Sequence, residues 1–417
     1  MRRLGITFLL VLAAISLKAQ DSARRKIDSL TYRQYLTQDY RALLASSKAA
    51  RKQGIDFYYL NYRTAIAVYA LKNYAKAAKY YRKTLAEAPE DPIAREGLYY
   101  ACLLSGQKEQ ARIAGRLLSP HAQAVARYRP SVMDFVALSG GYLMNENKPG
   151  VKPAPGNMAF LNQYQNMAFG SFGIGFHLSD YAKLKLGYQG HNTKFQRSSD
   201  GSLQKEDFLM QHQVIGALEF FTNQNVTFGV AGGYYDIENM DKDSENTKTS
   251  RLAFSVQTFL NKRFPFVLPE VALAWSNFGA GSQLQGKASL TYYPLGNLNF
   301  YGTTEGAILF NPGTSMQTQC IFSQSLGVKL AKRLWLDGSA SVGNHLNYIS
   351  ERSFLVYDTY DPVMATAGLS LSFFFGQTRL SAGYYWQQKK GYAYFTDYFD
   401  PYHYNNHILN FILQWDL

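Results

Sequence analysis

The sequence predicts an α + β multidomain chain, a short α-helical solenoid followed by an antiparallel transmembrane β-barrel of about 14 strands. Three observations carry this reading. The apolar period changes from three-and-four to two at Pro130. Beyond that point short and long connections alternate, as they do when every tight turn sits at one end of a barrel. The composition is aromatic-rich and charge-poor: Phe, Trp and Tyr make up 15% of 417 residues, with 32 Tyr, against 18% charged. That balance suits a wall with amphipathic rims better than a soluble enzyme.

Residues 1–19 read as an export signal: Arg2 and Arg3, the apolar run Gly5 to Leu17, then Lys18-Ala19-Gln20 with a small residue where cleavage falls. The run is too short to span a bilayer, and no later stretch reaches the roughly 18–20 apolar residues a membrane helix needs. No cysteine follows it, so nothing supports lipid attachment.

Residues 20–129 form the second part, with helices expected near 22–52, 56–71, 74–88, 91–104, 107–118 and 120–128. In "NYAKAAKYYRKTLAEAPED" (73–91), Tyr74, Ala77, Tyr81, Leu85 and Pro89 fall where the second helix of the roughly 34-residue tetratricopeptide repeat places them. The small Ala77 lets paired helices approach, and Pro89 ends the helix. A weaker copy starts at Pro92, with Tyr99, Cys102, the turn Ser105-Gly106 and Ala111 in register. Two units with flanking helices as caps make a short tetratricopeptide-like (TPR-like) solenoid, with a generic helical bundle as the alternative. Neither supplies a catalytic group.

This helical part carries the net charge. The chain total is +13; residues 21–130 hold 20 Lys and Arg against 9 Asp and Glu, a net of +11, while residues 131–417 hold 20 against 21, a net of −1. An exported chain makes nucleic acid a poor partner. An anionic envelope polymer, lipid headgroups or an acidic periplasmic protein suit the basic surface better, beside plain solvation of helices. Cys102 and Cys320 lie in different parts and read as small apolar residues rather than a disulfide.

From residue 130 to 417 the period is two. In "SQLQGKASLTYY" Leu284, Gly286, Ala288, Leu290 and Tyr292 alternate with Gln283, Gln285, Lys287, Ser289 and Thr291, and "ATAGLSLSFFF" and "RLSAGYYW" repeat the pattern. Strands are expected near 131–144, 166–178, 181–194, 208–221, 224–237, 249–260, 267–278, 283–293, 297–310, 315–330, 333–346, 363–375, 377–389 and 405–417. Tight turns such as Ser179-Asp180, Thr222-Asn223 and Gly376 alternate with long stretches such as "QRSSDGSLQKED" and "KGYAYFTDYFDPYHYN". Both ends of the barrel then lie on the short-turn, periplasmic side of a Gram-negative outer membrane, with the helices in the periplasm and the oily faces on lipid and lipopolysaccharide.

In "HILNFILQWDL" the outward set is Leu409, Phe411, Leu413, Trp415 and Leu417. Phe411, Leu413, Trp415 and Leu417 resemble the C-terminal signal read by the barrel-assembly machinery, with Leu where that signal usually has Phe. The whole arrangement resembles the YaiO-type outer-membrane β-barrel proteins with periplasmic repeats. The residues carrying this are "GIDFYYLNYRTAIAVYALKNYAKAA" (54–78), "YYPLGNLNFYG" (292–302), "KRLWLDG" (332–338) and "GNHLNYISE" (343–351). The resemblance implies an architecture and no activity. A looser likeness is to exopolysaccharide export porins, whose repeat scaffolds are much longer.

On the inward parity lie Lys183, Lys185, Glu219, Arg251, Lys287, Glu305, Lys329, Asp337 and Arg379, either as field-setting groups along a solute path or as a mutually neutralised network. His177-Leu178-Ser179 has a superficial His-x-Ser pattern, but it falls at a tight turn on the periplasmic side. No GxSxG, HExxH or phosphate loop occurs, so no catalytic residue, cofactor or metal ligand is assigned. Asp241, Asp243 and Glu245 only faintly match a calcium loop, lacking its glycine and distal glutamate. The expected function is a non-enzymatic conduit for export or passage of a polar solute or glycan, with the repeats recruiting a partner. The alternative is a plugged barrel that anchors the basic domain in an envelope complex.

Overall fold

Among the described residues seven helices precede Pro130: α1 over residues 21–36, α2 Tyr40–Lys52, α3 Tyr58–Ala70, α4 Tyr74–Glu87, α5 Pro92–Leu104, α6 Lys108–Arg116 and α7 Pro120–Ala126. The computed structural model describes residues 21–146, 161–199, 203–241, 248–278, 281–312, 318–353, 355–356, 361–394 and 399–417. The export-signal residues, and Asp243 and Glu245, lie outside the described residues. Asp39, Asn73, Asp91 and Ser119 accept backbone N–H groups at the starts of α2, α4, α5 and α7. Among the described residues no helix is long and apolar enough to cross a membrane.

The single helix expected over 22–52 is broken. Gln38 takes φ 55°, and so do its counterparts Lys72 and Gly106, at 62° and 74°; the three positions are spaced by 34 residues. The same spacing relates Asp39, Asn73 and Gln107, which start α2, α4 and α6, and the buried Leu43, Ala77 and Ala111. The backbone bonds repeat as well: Asp39 to Gln34, Asn73 to Val68 and Gln107 to Cys102, at 2.9, 3.1 and 2.9 Å. The unit is therefore three helical hairpins and α7, not two hairpins with caps. Its core is built from Ala77, Ala78, Tyr81, Ala94, Leu98 and their neighbours, with Leu85 packed against it, Tyr74 edge-on to Tyr69 and Pro89 exposed just past α4. A Cβ on Gly97 would overlap the Tyr81 ring, so glycine sets the close approach of α4 and α5.

The second unit begins at Ser131. Its wall strands are β1 Met133–Asn145, β2 Leu161–His177, β3 Ala182–Ser199, β4 Leu203–Phe221, β5 Val226–Asp241, β6 Lys248–Lys262, β7 Val267–Ser276, β8 Gln283–Tyr292, β9 Phe300–Phe310, β10 Thr318–Ala331, β11 Leu334–Gly343, β14 Val363–Phe375, β15 Thr378–Tyr394 and β16 Phe399–Asp416. Between β11 and β14 the two-residue strands β12 Ile349–Ser350 and β13 Leu355–Val356 pair with each other. The fourteen wall strands close into an antiparallel barrel in chain order, β14 beside β11 and β16 back against β1. At the closing seam Leu413 lies opposite Leu138 and Phe411 opposite Gly140, and the Leu417 N–H donates to the Asp134 carbonyl at 2.8 Å.

Several strands run past their expected ends. The segments expected at 181–194 and 208–221 extend over 182–199 and 203–221, and those at 377–389 and 405–417 over 378–394 and 399–416. Much of "QRSSDGSLQKED" and "KGYAYFTDYFDPYHYN" is thus ladder rather than loop. Pairs such as Lys194 with Phe208 and Lys390 with His403 continue the hydrogen bonding after the oily alternation fades, because the ladder needs no apolar face. By contrast β7, β8 and β11 have 10 residues each. A tilted strand of that length spans about 25 Å, the height of an outer-membrane apolar band.

The outer wall is oily. Leu273, Phe411, Ile308 and Val342 are 63%, 60%, 58% and 56% exposed, and Leu138, Val214, Leu284 and Leu369 extend the same band. A water-soluble monomer does not present so continuous an apolar surface. A groove of about 1030 Å³ in this wall, lined by Leu273, Gly286, Ala288, Gly306 and Ile308 among others, belongs to the same hydrocarbon-facing side.

Candidate functional site

Register fixes which side chains point inward. Because outward Leu186, Val214, Val230, Val271 and Ile308 alternate with them, Lys183 and Lys185 (β3), Glu219 (β4), Arg251 (β6), Lys287 (β8) and Glu305 (β9) all take the inner face. Lys329 (β10), Asp337 (β11) and Arg379 (β15) do the same opposite outward Val328, Leu336 and Leu380.

These nine gather into small groups. Lys185 Nζ lies 2.7 Å from Glu219 Oε1, and Lys287 Nζ lies 3.1 Å from Glu305 Oε2. Lys183 pairs with Asp134, a residue the strand pattern did not single out. Asp337 accepts from the Tyr301 hydroxyl, Arg379 donates to Gln414 at 2.8 Å, and the Lys329 ammonium sits 4.6 Å from the Trp335 ring centre. Arg251 stays half-buried near the long-loop end of β6.

What joins them is a segment the alternation cannot show. At Gly343 the chain leaves β11 with φ 123°, and residues 344–353 turn inside the barrel. A Cβ there would overlap the Cys320 carbonyl, so the inward bend requires glycine. His345 anchors the bend: its Nδ1 donates to the Val363 and Gly343 carbonyls at 2.8 and 2.9 Å, and its Nε2 accepts from Ser341 Oγ at 2.6 Å. Gln285 of β8 clasps Ile349 in both directions, donating to its carbonyl at 2.7 Å and accepting its N–H at 2.9 Å. Gln283 donates to the Asn347 carbonyl at 2.7 Å, and the Tyr348 hydroxyl donates to Glu305 at 2.5 Å.

Arg352 ends the segment. Its guanidinium pairs with Glu219, lies 3.3 Å from Glu270 Oε2 on β7, and stacks 4.1 Å from the Phe259 ring centre. Asn261 donates to the same Glu270 oxygen at 2.9 Å. One arginine therefore ties the loop to β4, β6 and β7, while the Tyr348–Gln285 end ties it to β8 and β9. Glu351 and Arg352 both take left-handed backbone, φ 43° and 57°, a conformation that costs non-glycine residues about 1 kcal/mol or more each. The ion pairs hold it.

Toward the long-loop end the lumen is filled by an apolar cluster that includes Tyr164, Phe195, Tyr235, Phe278, Ile349 and Tyr404. Lys389 is buried within it, 3.6 Å from the Tyr164 ring centre, and Tyr404 donates to Asp361 at 2.8 Å. Of the His-x-Ser pair, Ser179 Oγ accepts the Tyr181 N–H at 3.1 Å and closes the turn, while His177 lies 3.8 Å from Asp134. The Tyr-rich stretch 391–404 is divided: its described ends belong to β15 and β16.

The residues that sequence reasoning passed over are Asp134, Glu270, Tyr348, Gln285 as a ligand, and Arg352. Glu270 was accessible through its alternation with Pro269 and Val271. Arg352 was not, since a loop carries no period.

Fold and lumen define a class: a closed fourteen-strand antiparallel β-barrel preceded by helices, with a loop folded inside. No protein-family model matches the sequence, and no curated protein matches it. Similar solved structures include a Pseudomonas aeruginosa FadL homologue, at 9% identity and TM-score 0.47, over 73% of this chain and 94% of that one. The P. putida toluene transporter TodX follows at 7% and 0.47, over 72% and 92%. The translocator domain of the autotransporter NalP from Neisseria meningitidis stands at 12% and 0.34, over 76% and 100%. At identities and TM-scores this low the likeness bears on no ligand.

Proposed function

We propose that the chain is an outer-membrane conduit for a polar solute or glycan whose lumen is closed at rest by residues 344–353. The observation that carries this is the Arg352 latch: the loop is held by ion pairs and amide hydrogen bonds, which exchange readily with water, and not by a covalent bond. Lys185 pairs with Glu219 and Lys287 with Glu305 across strands, and Arg352 of the loop pairs with Glu219 and Glu270, so moving the loop would uncover Glu219 and Glu270 beside a hydrated path. On this reading the helical unit is a periplasmic, TPR-like adaptor of the YaiO type. Its basic surface recruits a periplasmic protein or an anionic envelope polymer, and the barrel is delivered by the assembly machinery through its Phe411–Leu417 strand.

A second reading is supported by the apolar cluster around Tyr235 and Tyr404, which suits a permanently filled barrel serving as an anchor. Planar-bilayer recording separates the two. The intact protein is expected to show rare, small openings, and Arg352→Ala and Arg352→Lys long-lived ones, the alanine variant more so. Silence in both variants, with heat-modifiable folded barrels on gels, would leave the anchor reading standing and remove the conduit.

A further inference from the structure

Inward side chains of β4 to β8 make an uncharged polar arc beside the loop. Gln213 lies opposite Tyr235, whose hydroxyl is 3.0 Å from Ser255 Oγ; Ser255 lies opposite Ser276, and Ser276 opposite Gln283. One step away Gln257 and Gln285 flank Ala274. Gln211, Gln213, Gln257, Gln283 and Gln285 are each at most 2% exposed. Among the described residues, both amide atoms of Gln211 and the Oε1 atoms of Gln213, Gln257 and Gln283 have no hydrogen-bond partner. A buried amide atom without a partner costs about 1–3 kcal/mol, so several on one surface are unlike ordinary packing.

We infer that this arc is a binding site for an uncharged oligosaccharide, a proposal that rests on the conduit reading and names its cargo. Three features point there. Each glutamine offers a donor and an acceptor, the pair that a sugar hydroxyl both supplies and needs; a carboxylate or phosphate only accepts, an ammonium only donates. At the Gln257–Gln285 end of the arc the neighbouring cations Lys185 and Lys287 are already paired with Glu219 and Glu305, which leaves little positive charge there for an anion; Arg251 stands at the Gln211 end, across Ile237. The loop itself shows the arc at work: Gln283 and Gln285 grip the neutral carbonyl and N–H groups of Asn347 and Ile349. When the loop leaves, those two amides are freed beside Gln257 and at the end of the Gln213–Tyr235–Ser255–Ser276 row, and Ile349 no longer covers the cluster that holds Tyr235. Loop and sugar therefore compete for the same glutamines.

The test uses the full chain in detergent and in bilayers, as wild type, Arg352→Ala, and Arg352→Ala combined with Gln213→Leu and Gln257→Leu. The probes are maltohexaose, an oligogalacturonate of equal length and a Gly/Ser hexapeptide. Saturation-transfer NMR is expected to show maltohexaose binding Arg352→Ala at least about tenfold more tightly than it binds wild type, and the two leucines to remove about tenfold of that affinity. Oligogalacturonate should bind weakly, and the peptide, which carries the same carbonyl and N–H groups that Gln283 and Gln285 grip in the loop, should bind but less tightly than maltohexaose. The leucine variant should unfold at a temperature no lower than its parent, because it removes buried amides without partners. Undiminished maltohexaose binding in the leucine variant, preference for the acid or the peptide, or a lower unfolding temperature would overturn the site. Absence of current in Arg352→Ala, with maltohexaose still bound through the glutamines, would instead remove the conduit and keep the site.

Discussion

Arg352 and Glu270 meet 3.3 Å apart inside the barrel, one on a loop and the other on a wall strand. Glu270 keeps Asn261 as a second partner, and Glu219 keeps Lys185, so neither carboxylate is stranded when Arg352 is removed. The pair is partly hydrated, with the arginine side chain 26% exposed and the glutamate 16%. Double-mutant analysis of Arg352→Ala and Glu270→Gln in urea unfolding from vesicles should give a coupling of about 0.5–1 kcal/mol. Additive effects would show that the contact does not hold the loop.

Gly343→Ala attacks the same loop from its other end. The φ of 123° admits glycine alone, and an added methyl group meets the Cys320 carbonyl on the neighbouring strand. The cheapest relief is to straighten the bend and withdraw residues 344–353, at a cost of about 1–3 kcal/mol. Trypsin then gains the Arg352 bond. Limited digestion of refolded protein should cut there faster in Gly343→Ala than in wild type, with the barrel still resisting SDS at room temperature. Equal cutting rates would mean that the bend does not position the loop.

How much of this was legible follows from range. The alternation of Leu284, Leu290 and Tyr292 with Lys287 needs only the pleat, so strand, face and closure could be read from a few residues at a time. The helical break at Gln38 was hidden because a glutamine there takes a left-handed turn that sequence normally marks with glycine, as at Gly106. The extra length of β3 and β4 was hidden because polar pairs sustain a ladder without a hydrophobic period. Arg352 lies 133 residues from Glu219, and nothing local in "NYISERSF" distinguishes an in-folded loop from a surface one.

Asp56 gives the helical unit a defined acid response. Partial burial raises its carboxyl, but the Lys83 ammonium at 2.8 Å and the Arg51 guanidinium at 3.5 Å outweigh that and hold it below 3.8. Because the folded value is the lower one, the pairing stabilises the fold above the unfolded value, and the gain is lost as pH falls through the folded value. Melting followed by helical circular dichroism should therefore place wild type above Asp56→Asn at neutral pH, with the gap closing progressively below pH 3.8. Added salt should narrow the neutral-pH gap, since both partners are partly exposed. A gap independent of pH would assign the effect to packing.

Ile308 tests what the wall faces. It sits two residues before the end of β9, outward, 58% exposed, opposite Gly286 on one side and Cys320 on the other. On a protein surrounded by water, Ile308→Lys would change stability by no more than about 0.5 kcal/mol, because the position touches little. In a bilayer the ammonium must be carried into hydrocarbon or bend its stem toward a headgroup; in a barrel this costs about 2–4 kcal/mol at the midplane and at most about 1 at the rims, so about 1–3 kcal/mol between them. Urea unfolding of wild type and Ile308→Lys from lipid vesicles should show a loss of that size, and Leu417→Lys, at the rim, a loss of at most about 1 kcal/mol. The same two substitutions measured in detergent should differ less, since micelles deform around a charge. If both variants were as stable as wild type in lipid, the outer face would not be solvated by acyl chains, and the inner face would then have to be reread as the core of a soluble barrel.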